Sequence, residues 1–242
     1  MTERVDLAIG IFIVYFIAFA VPTGIIGRTF KIHQEILRKV YHVFGTASII
    51  PLLYVFPGWK SALASFLGMF TVAYIVIVVF EDAPFLNRIR RDRKRGDTKL
   101  RHQVLLVAAT FAFLILTFWA IGGEENKHFI LFGVMTWSLG DAFAAVVGRL
   151  YGKRNFRHRL VDPNKTHRGF RAFIIPAALV NWGVLTLFHS FPPGVNLLIA
   201  LFLGTAGGII ELISKKGLDN VLIPIGITFL AYGIINGVEI LY

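Results

Sequence analysis

The stretch FILFGVMTWSLGDAFAAVVGRLYGKR, residues 129–154, decides the fold. Residues 129–148 are apolar except for Thr136, Ser138 and Asp141. About 20 such residues carry a helix across ~30 Å of hydrocarbon, so the stretch predicts a membrane span. Gly140, Ala144 and Gly148 fall at helical spacing, which makes a small-residue face on which a second helix can pack closely. The span then runs into Arg149, Lys153 and Arg154. A greasy helix with one acid inside it and a basic exit sets the questions for the rest of the chain.

Seven further segments have comparable length and hydropathy: 5–26, 42–56, 59–80, 103–121, 170–191, 195–213 and 221–241. The second and third of the eight in chain order are separated only by Pro57 and Gly58, which predicts a tight helical hairpin. Composition agrees, since 56% of the 242 residues are hydrophobic and 16% charged, against about a quarter charged in soluble domains. There is no cysteine, so disulfides, thiolate metal sites and cysteine nucleophiles are excluded. The net charge of +11 is unevenly placed: 22 of the 25 Lys and Arg lie in 28–41, 82–101, 149–171 and 214–220. Only Arg4, Lys60 and Lys127 lie on the other side. Positive residues stay cytoplasmic, so those four loops are expected in the cytoplasm and both termini on the opposite face. The expectation is an all-α polytopic membrane protein, one transmembrane helical domain over 1–242 with about eight spans.

This distribution makes the basic charge an orientation signal and a surface for anionic headgroups. The densest run, RIRRDRKRGDTKLR at 88–101, contains no aromatic residue for base stacking, and no nucleic-acid partner is expected. Short loops without a soluble appendage point to a prokaryotic plasma membrane.

An acid at the centre of a span costs at least ~2.5–3.5 kcal/mol on insertion scales and is a functional hypothesis by default. Two qualify: Asp141, and Glu211 near the basic end of the seventh span, beside the glycines 204, 207 and 208. In structural terms Asp141 could be satisfied by a neighbouring helix in a packing seam, and Glu211 could pair with Lys215 one turn on. In functional terms, Mg²⁺ takes one or two carboxylates and completes its shell with water and phosphate oxygens. Arg38, Lys39 and His42 (RKVYH) open the second span, and Arg149, Lys153, Arg154, Lys165 and Arg168 follow the fifth. Asp219 and Asn220 open the eighth, either as ordinary helix caps or as site residues. The histidines at 33, 102, 128, 158, 167 and 189 show no metal-ligand spacing. Together the inventory predicts phosphate handling: basic groups on phosphoryl oxygens, carboxylates on a metal, and one acid helping to deprotonate a hydroxyl. No G-x-x-x-x-G-K-[ST] loop is present.

In order along the chain, RKVYH (38–42), GDAFAAVVGRLYGKR (140–154), KTHRG (165–169) and ELISKKGLDNVLIP (211–224) resemble the polyprenol kinase family of dolichol, phytol and CTP-dependent diacylglycerol kinases. The second motif is shared with CDP-diacylglycerol synthases, whereas the last is kinase-like. The resemblance implies phosphoryl transfer from a nucleoside triphosphate, characteristically CTP, to a lipid alcohol. It implies Asp141, Lys39, Arg38 and Lys165 as catalytic residues, with Asp141 as metal ligand or general base. His42, Gly148, Arg149, Lys153, Asp219 and Asn220 then hold the nucleotide, and Asp141 and Glu211 bind Mg²⁺. One departure stands out: the family reads K-[ST]-x-E-G-S where this chain has Arg168 for the acid and Phe170 for the serine. The alternatives are a CDP-lipid synthase, which would release pyrophosphate, and a transporter, for which the chain lacks repeated halves and paired broken helices.

Overall fold

The computed structural model describes residues 2–30, 32–79, 100–156, 158–159, 161–214 and 217–240. Its helices are α1 (Thr2–Thr29), α2 (Gln34–Ala47), α3 (Ile49–Tyr54), α4 (Trp59–Val79), α5 (Leu100–Ile115), α6 (Phe129–Tyr151), α7 (His167–Phe188), α8 (Pro193–Ile213) and α9 (Asp219–Glu239). A π-helical stretch, Leu116–Ile121, continues α5. The described residues form no strand, only an isolated antiparallel bridge between Asn155 and Thr166. The protein is an all-α polytopic membrane protein. Six segments are long and apolar enough to cross a bilayer: Arg4–Gly27, His102–Ile121, Phe129–Tyr151, His167–Phe188, Pro193–Ile213 and Asp219–Glu239. A shorter apolar helix covers Trp59–Ile75.

Six of the eight expected segments are full-length spans among the described residues; the third is the shorter apolar helix, and the second departs from its expected bounds. No single helix covers 42–56. The helix starts earlier, at Gln34, where the His33 ring accepts from the Glu35 backbone N–H as a cap. It stops at Ala47, because Pro51 has no N–H to donate to the Ala47 carbonyl. Ser48 closes the break by donating to Gly45 O at 2.6 Å, and α3 begins beyond it. The expected loop 28–41 is thus mostly helix. The turn at Pro57 and Gly58 does join α3 to α4. Residues 80–99, with most of the basic loop 82–101, lie outside the described residues.

The core is organised around α6, which packs on α2, α7 and α9, while α7 packs in turn on α8. The small-residue faces are the reason. A Cβ on Gly140 would lie 2.5 Å from the Phe173 ring of α7, and one on Gly207 of α8 would lie 3.0 Å from the same ring. Phe173 is wholly buried between them. Gly204 approaches the backbone N of Ala178 in the same way, at 2.9 Å from its absent Cβ. On the opposite flank, Gly133 lies so close to α9 that a Cβ would meet the Pro224 carbonyl oxygen at 2.0 Å. Gly140 does not break α6; it is a contact point within a continuous helix. Asn181 of α7 ties the same interface by donating to Thr136 Oγ1 at 2.8 Å.

These contacts predict which glycines are essential to the fold. Gly133→Ala and Gly140→Ala should each destabilise by about 1–3 kcal/mol through overpacking. Gly183→Ala has nothing within 4 Å of the new methyl, and should be neutral or stabilising by up to about 1 kcal/mol. Thermal unfolding of the three variants in detergent measures the contrast.

Candidate active site

On the facing stripes of α2 and α6, three contacts follow one another at helical spacing. Lys39 Nζ and Asp141 Oδ2 form a part-buried ion pair. His42 Nε2 lies 3.6 Å from the same carboxylate oxygen, and its ring meets Trp137 nearly edge-on, with centroids 4.6 Å apart. Deeper still, Thr46 Oγ1 donates to Ser138 Oγ. Residues three and four apart share a helix face, so α2 supplies positions 39, 42 and 46 to one polar seam. A membrane-buried carboxylate is retained at tolerable cost only when it is paired, and Lys39 is that partner.

The second acid is met by the loop between α6 and α7. This loop is folded back on itself: Phe156 N donates to Lys165 O at 3.1 Å, and His167 N donates to Arg154 O at 3.1 Å. Asn155 Nδ2 donates to Pro163 O at 2.8 Å, and Asp162 N reaches Leu212 O of α8 at 3.4 Å. Thr166 caps α7, its hydroxyl accepting from Gly169 N at 3.0 Å. Gly148 leaves room for that cap, since a Cβ there would come 3.2 Å from Thr166 Oγ1. So positioned, Lys165 forms an ion pair with buried Glu211. The Glu211–Lys215 alternative falls on a residue outside the described set, and Lys165 is the partner the structure displays.

Gly217, at φ +85°, turns the chain from α8 into α9. Asp219 is the first residue of α9 rather than its cap, a position held by Leu218 without a side-chain bond. The Asp219 carboxylate lies within electrostatic reach of Asp141, Lys165, Lys39 and Glu211. Burial alone would pull the Lys165 ammonium down. Glu211, with Asp219 and Asp141 behind it, outweighs that and holds Lys165 above the ordinary lysine range. Three carboxylates thus meet two ammonium groups. No trio of His, Asp or Glu forms a metal cage among the described residues. The donors are all oxygen, with one carboxylate in excess, which fits a hard divalent cation that shares its shell with phosphate and water.

The remaining expected residues form a rim rather than part of this cluster. Arg38 is exposed and pairs with Glu35 at 2.5 Å, and Arg149 Nη1 reaches the other Glu35 oxygen at 3.1 Å. Glu35, not among the expected residues, therefore clips α2 to α6. Burial would push its carboxyl up, but the hydrogen bond and charge of Arg38, aided by Lys39 and Arg149, hold it below the usual range. Its sequence signal was an acid in the first turn of an amphipathic helix, three residues before Arg38. Lys153 is exposed, and Asn220 is half-buried in the first turn of α9. Arg168 is exposed and donates to the Tyr151 carbonyl at 2.8 Å, at the C-terminal end of α6. Arg168 thus satisfies a helix end, outside the charged cluster.

The profile of the cytidylyltransferase family matches residues 2–215. Over 230 residues the chain is 24% identical to the phytol kinase of Synechocystis sp., covering 93% of this chain and 91% of that protein. It is 27% identical over 215 residues to dolichol kinase sec59 of Schizosaccharomyces pombe, and 26% identical over 210 residues to dolichol kinase EVAN of Arabidopsis thaliana. Those matches cover 82% and 83% of this chain but only 40% and 35% of the two larger relatives. The likeness to polyprenol kinases read from the motifs is borne out by these relatives. No solved structure matches the chain.

The Lys165–Glu211 pair yields a test of its own. Because the folded lysine is held high, its pairing stabilises the fold fully below the ordinary lysine value of about 10.4 and is lost as pH rises through the higher folded value. In Glu211→Gln, burial acts with less opposition, and Lys165 should lose its proton more readily. Amine-selective labelling at alkaline pH, read by mass spectrometry, should modify Lys165 severalfold faster than in the wild type. An unchanged rate would contradict the assignment.

Proposed function

The chain belongs to the cytidylyltransferase family, and from that premise we propose that it is a membrane lipid kinase. It transfers a phosphoryl group from a nucleoside triphosphate, CTP, to a long-chain isoprenoid alcohol of the dolichol, polyprenol, phytol or geranylgeraniol type. The observation that carries this reading is the part-buried cluster of Lys39, Asp141, Lys165, Glu211 and Asp219, set within a membrane bundle beneath a basic rim. The kinase names of the relatives support the reaction class.

In this reading the rim residues Arg38, Arg149 and Lys153 receive the triphosphate by charge. Lys39 and Lys165 then exchange their carboxylate partners for phosphoryl oxygens, which stabilises charge in the transition state. His42, Asp219 and Asn220 border the same space, and Gly148 keeps the α7 cap close. Mg²⁺ held by Asp141 and Glu211 would neutralise phosphate charge, as metals do in phosphoryl transfer generally. The alcohol comes from the bilayer, its hydroxyl brought to the donor beside Asp141.

A second reading has its own support in the family's description, a cytidylyltransferase. Such an enzyme would join a cytidylyl group to a lipid phosphate and release pyrophosphate. Purified protein given labelled CTP with a panel of dolichol, phytol and geranylgeraniol, and in parallel with phosphatidate as a lipid phosphate, separates the two. Lipid monophosphate with nucleoside diphosphate is the expected product pair, and pyrophosphate would replace the proposal by its rival. Asp141→Asn should lower the rate by at least about 10²-fold. Because it leaves Lys39 buried without its acid, at a cost of about 3–5 kcal/mol, Lys39→Met combined with Asp141→Asn serves as the folding control. The double variant should regain thermal stability and remain inactive.

A further inference from the structure

Beneath Asp141 lie two buried polar atoms without a hydrogen-bond partner among the described residues: His42 Nε2 and Trp137 Nε1. They belong to side chains in direct contact, the two rings near-perpendicular at 83° with centroids 4.6 Å apart. Trp137 is all but inaccessible to solvent. An unpaired buried polar atom is costly, and native structures leave few of them, so two on contacting rings beside a charged cluster need an explanation; Asp141 Oδ2, 3.6 Å from His42 Nε2, lies beyond hydrogen-bond reach.

Their chemistry is complementary. An indole N–H can only donate, whereas a neutral imidazole with its proton on Nδ1 can accept at Nε2. One group that uses both is a hydroxyl, which accepts at oxygen and donates its hydrogen. Position selects the ligand further. Trp137 precedes Asp141 by one turn, about 6 Å at 1.5 Å per residue, on the side away from the basic rim. A triphosphate entering from the rim meets Lys39 and Asp141 first. A hydroxyl borne by a hydrocarbon chain reaches the seam from the apolar side.

We propose that the acceptor alcohol docks its hydroxyl between Trp137 Nε1 and His42 Nε2, on the hydrocarbon side of Asp141; this rests on the lipid-kinase reading. His42 then belongs to the alcohol subsite rather than to the nucleotide subsite. Trp137 holds the oxygen and His42 the hydrogen, which aims an oxygen lone pair toward the space beside Asp141.

The test compares Trp137→Phe, which keeps a ring but removes the N–H, with His42→Phe, which keeps a ring edge but removes the acceptor. Loss of one hydrogen bond corresponds to about a fivefold to tenfold effect. Both variants should raise the KM for geranylgeraniol by that factor and leave the KM for CTP within about twofold. A raised CTP KM with an unmoved alcohol KM, or no change in Trp137→Phe, would overturn the proposal. A binding measurement without nucleotide keeps the two hypotheses apart. Geranylgeraniol should raise the wild-type unfolding temperature more than its methyl ether, which cannot donate, and His42→Phe should abolish that difference. If the wild type makes this distinction and phosphorylates nothing, docking stands and the kinase reading falls. If the wild type does not distinguish alcohol from ether, docking falls.

Discussion

The site depends on one steric constraint, the Phe173 ring held between Gly140 and Gly207. A side chain on either glycine would push α7 away from α6 or α8. With both absent, α7 lies close to each neighbour, and two acids from different helices, Asp141 and Glu211, come within electrostatic reach. Membrane helices gain little from hydrophobic association, because lipid tails are as apolar as their side chains. Close backbone approach and interhelical hydrogen bonds such as Asn181 to Thr136 therefore carry much of the specificity.

Bringing carboxylates together in a low-dielectric interior raises an electrostatic problem that the lysines answer. Each acid takes an ammonium from an element other than its own: Lys39 comes from α2, Lys165 from the loop before α7. Such buried pairs are weak contributors to stability, since desolvation consumes most of the attraction. They hold the charged groups in place without a ligand. The loop that delivers Lys165 is correspondingly well fastened, by its own backbone bonds and by Asp162 to Leu212 of α8.

Hydropathy made most of the fold legible. The segments predicted at 129–150, 195–213 and 221–241 differ from α6, α8 and α9 by a few residues, because a long apolar run has few alternatives in lipid. Span 42–56 was misread because an amphipathic helix starting at Gln34 carries too much charge to register as apolar, and because Pro51 interrupts the ladder inside the run. The two acids and the glycines beside them could be read from spacing alone. Their partners could not. Arg38 and Lys39 are neighbours in sequence but about 100° apart around the helix, so one turns outward to Glu35 and the other inward to Asp141. Glu211 has a lysine one turn away in sequence, yet pairs with one 46 residues distant.

Depth explains why Asp141 and Glu211 each meet a counter-charge. Asp141 stands ten residues before Tyr151, so about 15 Å of helix separates it from the basic end of α6. There its side chain is largely withdrawn from solvent, 13% exposed, and a lone carboxylate would be strongly disfavoured. With Lys39 beside Asp141 and Lys165 beside Glu211, most of that cost is offset. Arg38 and Arg149, shared on Glu35 above, extend the same compensation to the mouth. Arg168 lies outside this balance: its guanidinium satisfies the end of α6.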